Sequence, residues 1–315
     1  MNSIKKKVLA FYIGSKKRGL RRCLVWLFTN MSKFSIEKDI KSDVPWQVKP
    51  VGELVFLLSA LHKAGFSSKE TERLSSFCID ETKTFDWHEL SAYDPSIVTV
   101  IFSLHEFYNI KGCQIPWESD YIKMLRQISF FEAMDRVPYR EMDHIHSLSL
   151  IDKDVDLTEL IQWFDDTSFG QNQNIARYTI DDMYSLTHAL FYITNMGTRP
   201  VTALLKEEVI SRIHQVLISL AVSIARADNT DVLGEVLLCW IYTDVAKNER
   251  NAMIFDSLLR HILKFQTKRG AIAPNLRTFN RNQGHEENFF DLYHTTLVST
   301  LLLVNVHKWD KRVTL

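Results

Sequence analysis

The chain has 315 residues, 46% of them apolar, so it can bury a core large enough for one domain or two. Its formal net charge is zero, and its four cysteines, Cys23, Cys78, Cys113 and Cys239, include no CxxC pair. The wide spacing of the cysteines argues against a cysteine-rich zinc module and against a disulfide framework. A reducing, cytoplasmic setting fits this cysteine content best.

The first predicted element is a basic N-terminal helical arm over residues 1–45, followed by one domain over 46–315. The first 40 residues hold ten Lys and Arg against Glu37 and Asp39. One interpretation is a solvated helix that caps the domain and turns five apolar side chains inward, namely Leu20, Leu24, Trp26, Leu27 and Phe28. The other is attraction to a protein partner or an anionic membrane surface. Nucleic acid is not expected, because no nucleic-acid-binding motif is present.

Along the rest of the chain, apolar residues recur three or four positions apart, and only 10 Gly and 7 Pro interrupt the pattern. The segments "GELVFLLSALHKAG" from Gly52 and "YSLTHALFYITNMG" from Tyr184 have equal length and end at Gly65 and Gly197, which are plausible helix stops. Four similar segments begin at Pro95, Tyr139, Gly234 and Tyr293. The sequence therefore predicts six apolar helices in an all-α protein.

More polar, amphipathic segments lie between these apolar helices. They are Ser67–Thr82, where Ser67 and Glu70 suggest a capping box, then Trp117–Ala133, Leu157–Phe164, Ala203–Ala225 and Asn251–Phe265. Apolar helices that are buried on all sides alternate with amphipathic helices that expose one face to solvent. This alternation predicts an (α/α)6 toroid-like barrel of six helical hairpins. An open solenoid of stacked repeats is the alternative. The longest apolar run, Leu297–Val306, falls short of the roughly 18 residues that span a bilayer, so we expect no membrane span.

Polar residues stand near the beginnings of the apolar helices, namely Glu53, Asp143, Ser185, His188, Glu235 and His294. Such residues are costly to bury unless they pair or face a wet cavity, which the mouth of a barrel provides. We expect His188, Glu235 and His294 to bind Zn²⁺ or Fe²⁺. Glu235, Asp143 and His294 are the candidate catalytic groups. In the alternative interpretation, the two histidines are hydrogen-bonded core residues and Glu235 stabilises a helix N-terminus.

Further candidates are substrate-binding residues near the same helix beginnings. Arg136 and Arg140 lie in "RVPYREMDHIH" and would hold an anionic group of the substrate, or else belong to a surface salt-bridge cluster. Tyr184 and Tyr293 begin two of the repeated segments. His144, His146, Asp143 and His285 are reserve ligands.

The segment "DLYHTTLVSTLL", Asp291–Leu302, resembles one in the β subunits of protein prenyltransferases, which are terpenoid-cyclase-like α/α toroids. The resemblance implies an α/α toroid and a zinc ligand at His294. The family takes its other ligands, a carboxylate and a cysteine two residues apart, from the preceding inner helix. Here Glu235 would supply the carboxylate, but Leu237 stands two residues later and Cys239 four.

No nucleotide cofactor is expected, because the chain has no GxGxxG and no phosphate loop with GK[ST]. The GxSxG and HExxH motifs are absent as well. Two functions remain open. The first is an enzyme, a possible metal-dependent lyase, transferase or hydrolase, that modifies a small molecule or peptide in an apolar cavity with a polar mouth. The second is a non-catalytic helical-repeat scaffold that binds a peptide or protein.

Overall fold

The computed structural model describes residues 3–37, 44–115, 125, 136–284 and 286–313. Within these ranges the chain forms helices and loops, and the only pairing of extended backbone is an isolated bridge between Gln266 and Ile272. The prediction of an all-α protein is confirmed.

The α-helices are numbered in chain order within the described residues. They are α1 (Ser3–Thr29), α2 (Val44–Lys63), α3 (Lys69–Thr82), α4 (Trp87–Tyr93), α5 (Val98–Lys111), α6 (Pro138–Ser149), α7 (Glu159–Asp165), α8 (Ile180–Ile193), α9 (Glu207–Arg226), α10 (Thr230–Tyr242), α11 (Glu249–Lys264), α12 (Leu276–Arg281) and α13 (Phe289–Val313).

The six apolar repeats correspond to α2, α5, α6, α8, α10 and α13, which we call the core helices. Each core helix contacts the next one in this order, and α13 also contacts α2. The amphipathic segments form α3, α7, α9 and α11, whereas the predicted helix Trp117–Ala133 lies outside the described residues apart from Leu125. Of these, α3 packs on α2, α7 packs on α6 and α8, and α9 and α11 pack on α10.

Burial follows the sequence pattern. In α10 every residue from Thr230 to Trp240 is buried, whereas α11 buries one stripe of apolar side chains, Phe255, Leu258, Leu259 and Ile262. Each such side chain contributes roughly 1.5–3 kcal/mol when it leaves water. A helix that is apolar on all sides, such as α10, is therefore enclosed by its neighbours, whereas a helix with one apolar stripe, such as α11, exposes its other face to solvent.

Helix ends follow local signals, with one correction. Gly65 and Gly197 have φ values of +71° and +79° and follow the ends of α2 and α8, as predicted. The capping box of α3, however, is formed by Ser68 and Thr71. The prediction from Ser67 and Glu70 was wrong by one residue, because Ser67 instead donates its hydroxyl to the side chain of Glu72.

The basic arm is part of the same core. Leu20, Leu24, Trp26 and Leu27 of α1 are buried, as predicted, whereas the fifth predicted residue, Phe28, is only half-buried beneath Arg73. The helix α1 packs on α13 and α3. The Arg22 guanidinium donates to the backbone carbonyls of the turn at residues 267–268. The predicted boundary at residue 45 therefore separates two regions that share one apolar cluster.

Among the described residues, two helices are long and apolar enough to cross a membrane by length and composition alone, Glu207–Arg226 and the first 20 residues of α13, Phe289–Lys308. The most apolar window of the second is 72% buried inside the protein. The core helix of a compact domain passes the same test, so the finding is weak evidence for a membrane span.

Candidate active site

Polar side chains from four core helices meet at one place. We call this group the mouth cluster; it consists of Glu53 of α2, Tyr184 and His188 of α8, Asp231 and Glu235 of α10, and His294 of α13. Each residue lies within the first three turns of its helix. Four of the core helices therefore carry polar residues near their N-terminal ends.

His294 lies between two carboxylates. Its Nδ1 atom is 2.9 Å from Oε2 of Glu53, and its Nε2 atom is 3.8 Å from Oδ2 of Asp231. Burial lowers the pKa of His294, but the charges of Glu53 and Asp231 outweigh burial and raise the pKa to about 10. At neutral pH this side chain is therefore an imidazolium held in an ion pair.

Asp231 is fixed in position by two hydroxyl groups. The phenol of Tyr184 donates to Oδ2 at 2.6 Å, and the hydroxyl of Thr295 donates to Oδ1 at 2.6 Å. Burial and the charge of Asp231 raise the pKa of Tyr184, so the phenol keeps the proton that it donates. Asp231 thus contacts donors from α8 and α13 as well as the cation of His294.

Glu235 is the most enclosed member of the mouth cluster, with its side chain only 3% exposed. The hydroxyl of Thr187 donates to Oε2 at 2.6 Å, and Nε2 of His188 lies 3.8 Å from Oε1. Burial, followed by the charge of Asp231, raises the pKa of Glu235 to about 8. Near pH 7 this residue is mostly a neutral carboxylic acid that can donate a proton.

His188 differs from His294 because aromatic rings surround it. The rings of Tyr139, Tyr184 and Tyr192 stack on the imidazole with centroid distances of 5.9, 5.8 and 6.3 Å. Burial, and then the positive charges of Arg140 and His294, lower the pKa of His188 to about 3. The two predicted histidines therefore differ in charge at neutral pH.

Of the remaining predicted residues, Arg140, Asp143 and Tyr293 border the mouth cluster, and Arg136 is the exception. Arg140 lies 3.5 Å from Asp143 and covers the ring of Tyr139, which stacks on His188. Burial raises the pKa of Asp143. Arg136, which precedes α6, pairs with Glu141 of that helix at 3.4 Å.

Tyr293 lies beside Glu53. Burial and the charge of that carboxylate raise the pKa of this tyrosine, which keeps its phenol protonated. The reserve residue His144 contacts the ring of Phe102, and His146 bonds to Asn195 at 3.1 Å. Burial lowers the pKa of each histidine to about 4. His285 lies outside the described residues.

The predicted metal ligands, His188, Glu235 and His294, do not form a ligand set in this arrangement. Among the described residues there is no group of three or more His, Cys, Asp or Glu side chains that could hold a metal ion. Both ring nitrogens of His294 face carboxylates, and burial raises the pKa of Cys239, which keeps that residue a thiol. The zinc or iron site stays a prediction.

A family model described as "Domain of unknown function (DUF6895)" matches residues 20–304. The chain belongs to this family. The DUF6895 match includes every residue of the mouth cluster and residues 20–29 of α1. No curated protein and no solved structure matches the chain.

Sequence reasoning missed several residues that complete the site of this DUF6895 member. Asp231 stands four residues before Glu235 and therefore on the same face of α10, which was an available signal. Thr187 immediately precedes His188, and Thr295 immediately follows His294. Nothing in the local sequence indicates which carboxylate either threonine contacts. Their partners lie 48 and 64 residues away in the chain.

We expect His294→Gln to change how the stability of this DUF6895 member depends on pH. Because the pKa of His294 is raised, its charge stabilises the folded state fully below about pH 6.5 and less as the pH rises towards 10. The difference in free energy of unfolding between wild type and variant, measured by urea denaturation, should shrink over that range. His62→Gln, at an exposed position, is the control and should show no such trend. A difference that stays constant from pH 6 to 10 would contradict the ion pair.

Proposed function

We propose that the protein adopts an (α/α)6 toroid whose inner helices are the six core helices. The order of contacts supports this proposal, because each core helix contacts the next and α13 contacts α2. Stacked repeats in an open solenoid contact only their neighbours, so their first and last units stay apart. The similarity of Asp291–Leu302 to prenyltransferase β subunits points to the same architecture.

We propose that the protein is a metal-free hydrolase that cleaves an acetal C–O bond of a hydroxylated small molecule, such as a glycoside. The observation that carries this proposal is the neutral acid Glu235, with its pKa raised to about 8, beside the charged groups of Asp231 and Glu53. Carboxyl groups whose environments separate their protonation states can act as proton donor and proton acceptor in one reaction.

In the proposed reaction Glu235 is the general acid and Glu53 is the general base. Glu235 gives its proton to the leaving oxygen as the C–O bond breaks, and Glu53 takes a proton from the water whose oxygen forms the new bond to carbon. Both products carry a hydroxyl group, and proton exchange with solvent restores the two carboxyl groups. The side chain of Glu53 is 25% exposed, so water can reach it, and its bond to His294 fixes its orientation.

The substrate class follows from the groups that face the same region. Carboxylates such as Glu53 accept hydrogen bonds from hydroxyl groups, and the rings of Tyr139 and Tyr184 provide flat apolar faces. Trp46 is 71% exposed and contacts Lys49, which lies 3.7 Å from Glu53. A sugar ring has hydroxyl groups at its edge and C–H groups on its faces, so it complements both features.

Release of nitrophenol from a panel of 4-nitrophenyl glycosides tests this function. We expect turnover of at least one glycoside, with a rate that falls above about pH 8 as Glu235 loses its proton. Glu235→Gln should lower the rate about 10²- to 10⁴-fold, as expected for loss of a general acid. Glu207→Gln, an exposed carboxyl group on α9, is the matched control and should keep the wild-type rate.

Two outcomes would overturn the proposed reaction. Turnover that survives Glu235→Gln would remove its proton donor. Turnover that is lost on treatment with a chelator and restored by Zn²⁺ or Fe²⁺ would replace the metal-free mechanism by the metal-dependent one.

The second candidate function is a scaffold that binds a peptide or protein partner. Two exposed aromatic side chains favour it, Trp46 at 71% exposure and Phe290 at 69%. They are connected to the mouth cluster through Lys49 and Tyr293 respectively. A scaffold would lose partner binding on Trp46→Ala and Phe290→Ala, and it would show no turnover that depends on Glu235.

A further inference from the structure

A recess of about 360 Å³ lies between α1, α13 and the connection from α2 to α3. Its apolar wall consists of Leu20, Leu24, Phe66 and Leu303. Leu303 follows His294 by nine residues of α13, a rise of about 13 Å along the helix, and none of the mouth-cluster residues lines the recess. The recess is therefore a feature separate from the proposed active site.

The polar edge of the recess is mainly cationic. Lys17 and Arg21 of α1 and His307 of α13 line it, together with the single carboxylate of Glu70. Lys16 also lines the recess, but its ammonium group lies 3.2 Å from Asp256. Lys17 and Arg21 are exposed, and no ion pair holds their head groups within the described part of the chain. These two cations lie one turn apart on the same face of α1 as Leu20 and Leu24.

We propose that this recess binds a single-chain amphiphile with an anionic head group, such as a medium-chain carboxylate. Its apolar wall takes the hydrocarbon chain, and Arg21, whose guanidinium can donate two parallel hydrogen bonds to a carboxylate, takes the head group together with Lys17. The volume lies at the lower end of the range of small-molecule pockets, about 300–1,000 Å³. This size suits one chain better than the two chains of a bilayer lipid.

Isothermal titration calorimetry with decanoate, below the concentration at which it aggregates, tests this proposal on the full chain. We expect one binding site. Decanol has no charge, decyltrimethylammonium has the opposite charge and acetate has no chain, so each should bind at least tenfold more weakly. The double variant Lys17→Glu/Arg21→Glu should weaken decanoate binding at least tenfold. The same double variant keeps its fold if its thermal unfolding midpoint matches that of wild type.

Arg18→Glu is the matched control, because Arg18 is an exposed cation of the same helix that does not line the recess. It should leave decanoate affinity unchanged. Glu235→Gln should also leave it unchanged, which keeps the test independent of the proposed hydrolase activity. Equal affinity for decanol and decanoate, equal loss in Arg18→Glu, or binding to anionic vesicles without binding to monomeric decanoate would overturn the proposal.

Discussion

Glu235→Gln is expected to unfold at a higher temperature than wild type at pH 8, and at a similar temperature at pH 4. The pKa of Glu235 is about 8 in the folded protein, against an ordinary value of 4.5. Between these two values the unfolded chain releases the proton and the folded chain retains it, so the wild type loses stability as the pH rises. Glutamine keeps the shape of the neutral acid and titrates in neither state. The advantage of the variant should therefore grow from about pH 4.5 to 8.

The size of this effect follows from the burial of Glu235. For a side chain that is only 3% exposed, we expect a gain of a few kcal/mol, on the order of several degrees in the unfolding midpoint. Differential scanning calorimetry at pH 4, 6 and 8 measures it. Glu286→Gln, at an exposed position, should give the same midpoint as wild type at each pH. If Glu235→Gln instead unfolds earlier than wild type at pH 8, Glu235 is an ionised structural residue and the proposed proton donor is lost.

Gly270→Ala is expected to destabilise the protein by roughly 3 kcal/mol or more, because two costs combine. Gly270 has a φ of +118°, a conformation that residues with a side chain rarely adopt. An added Cβ would lie 2.4 Å from the carbonyl oxygen of Arg22. The backbone of α1 would have to move away from the turn that accepts hydrogen bonds from the Arg22 guanidinium.

Gly14→Ala is the matched control for this substitution. Gly14 lies in the same helix as Arg22, and an added Cβ would meet no atom within 4 Å. Alanine at this site should stabilise the helix by about 0.5–1 kcal/mol, since glycine has the larger entropy to lose. Urea denaturation of both variants should therefore give changes of opposite sign. Equal unfolding midpoints for the two variants would mean that α1 does not dock on this turn.

The helices were predictable from the sequence because their signals are local. A period of three to four residues identified α8 and α10, and Gly65 and Gly197 marked where two helices stop. The capping box of α3 was predicted one residue too early, because serines occupy both positions 67 and 68. A local pattern thus defines a helix well and its first residue less well.

The candidate site was predictable only in part, because its contacts join distant parts of the chain. The repeats predicted that His188, Glu235 and His294 occupy corresponding positions near the beginnings of three helices, and all three belong to the mouth cluster. The partner of His294, Glu53, lies 241 residues away, and only the packing of α13 against α2 brings the two together. The pKa of Glu235 depends mainly on burial, which no local pattern predicts, and then on the charge of Asp231.

The contact of α13 with α2 and α1 also determines when the site can form during protein synthesis. The ribosome makes Glu53 and Asp231 long before His294, so until α13 emerges these carboxylates have no imidazolium beside them. Contacts between residues so far apart in the chain form slowly, because a long loop must close first. The nascent chain can therefore fold its earlier hairpins, but it cannot assemble the charged pair of Glu53 and His294 until translation has passed α13.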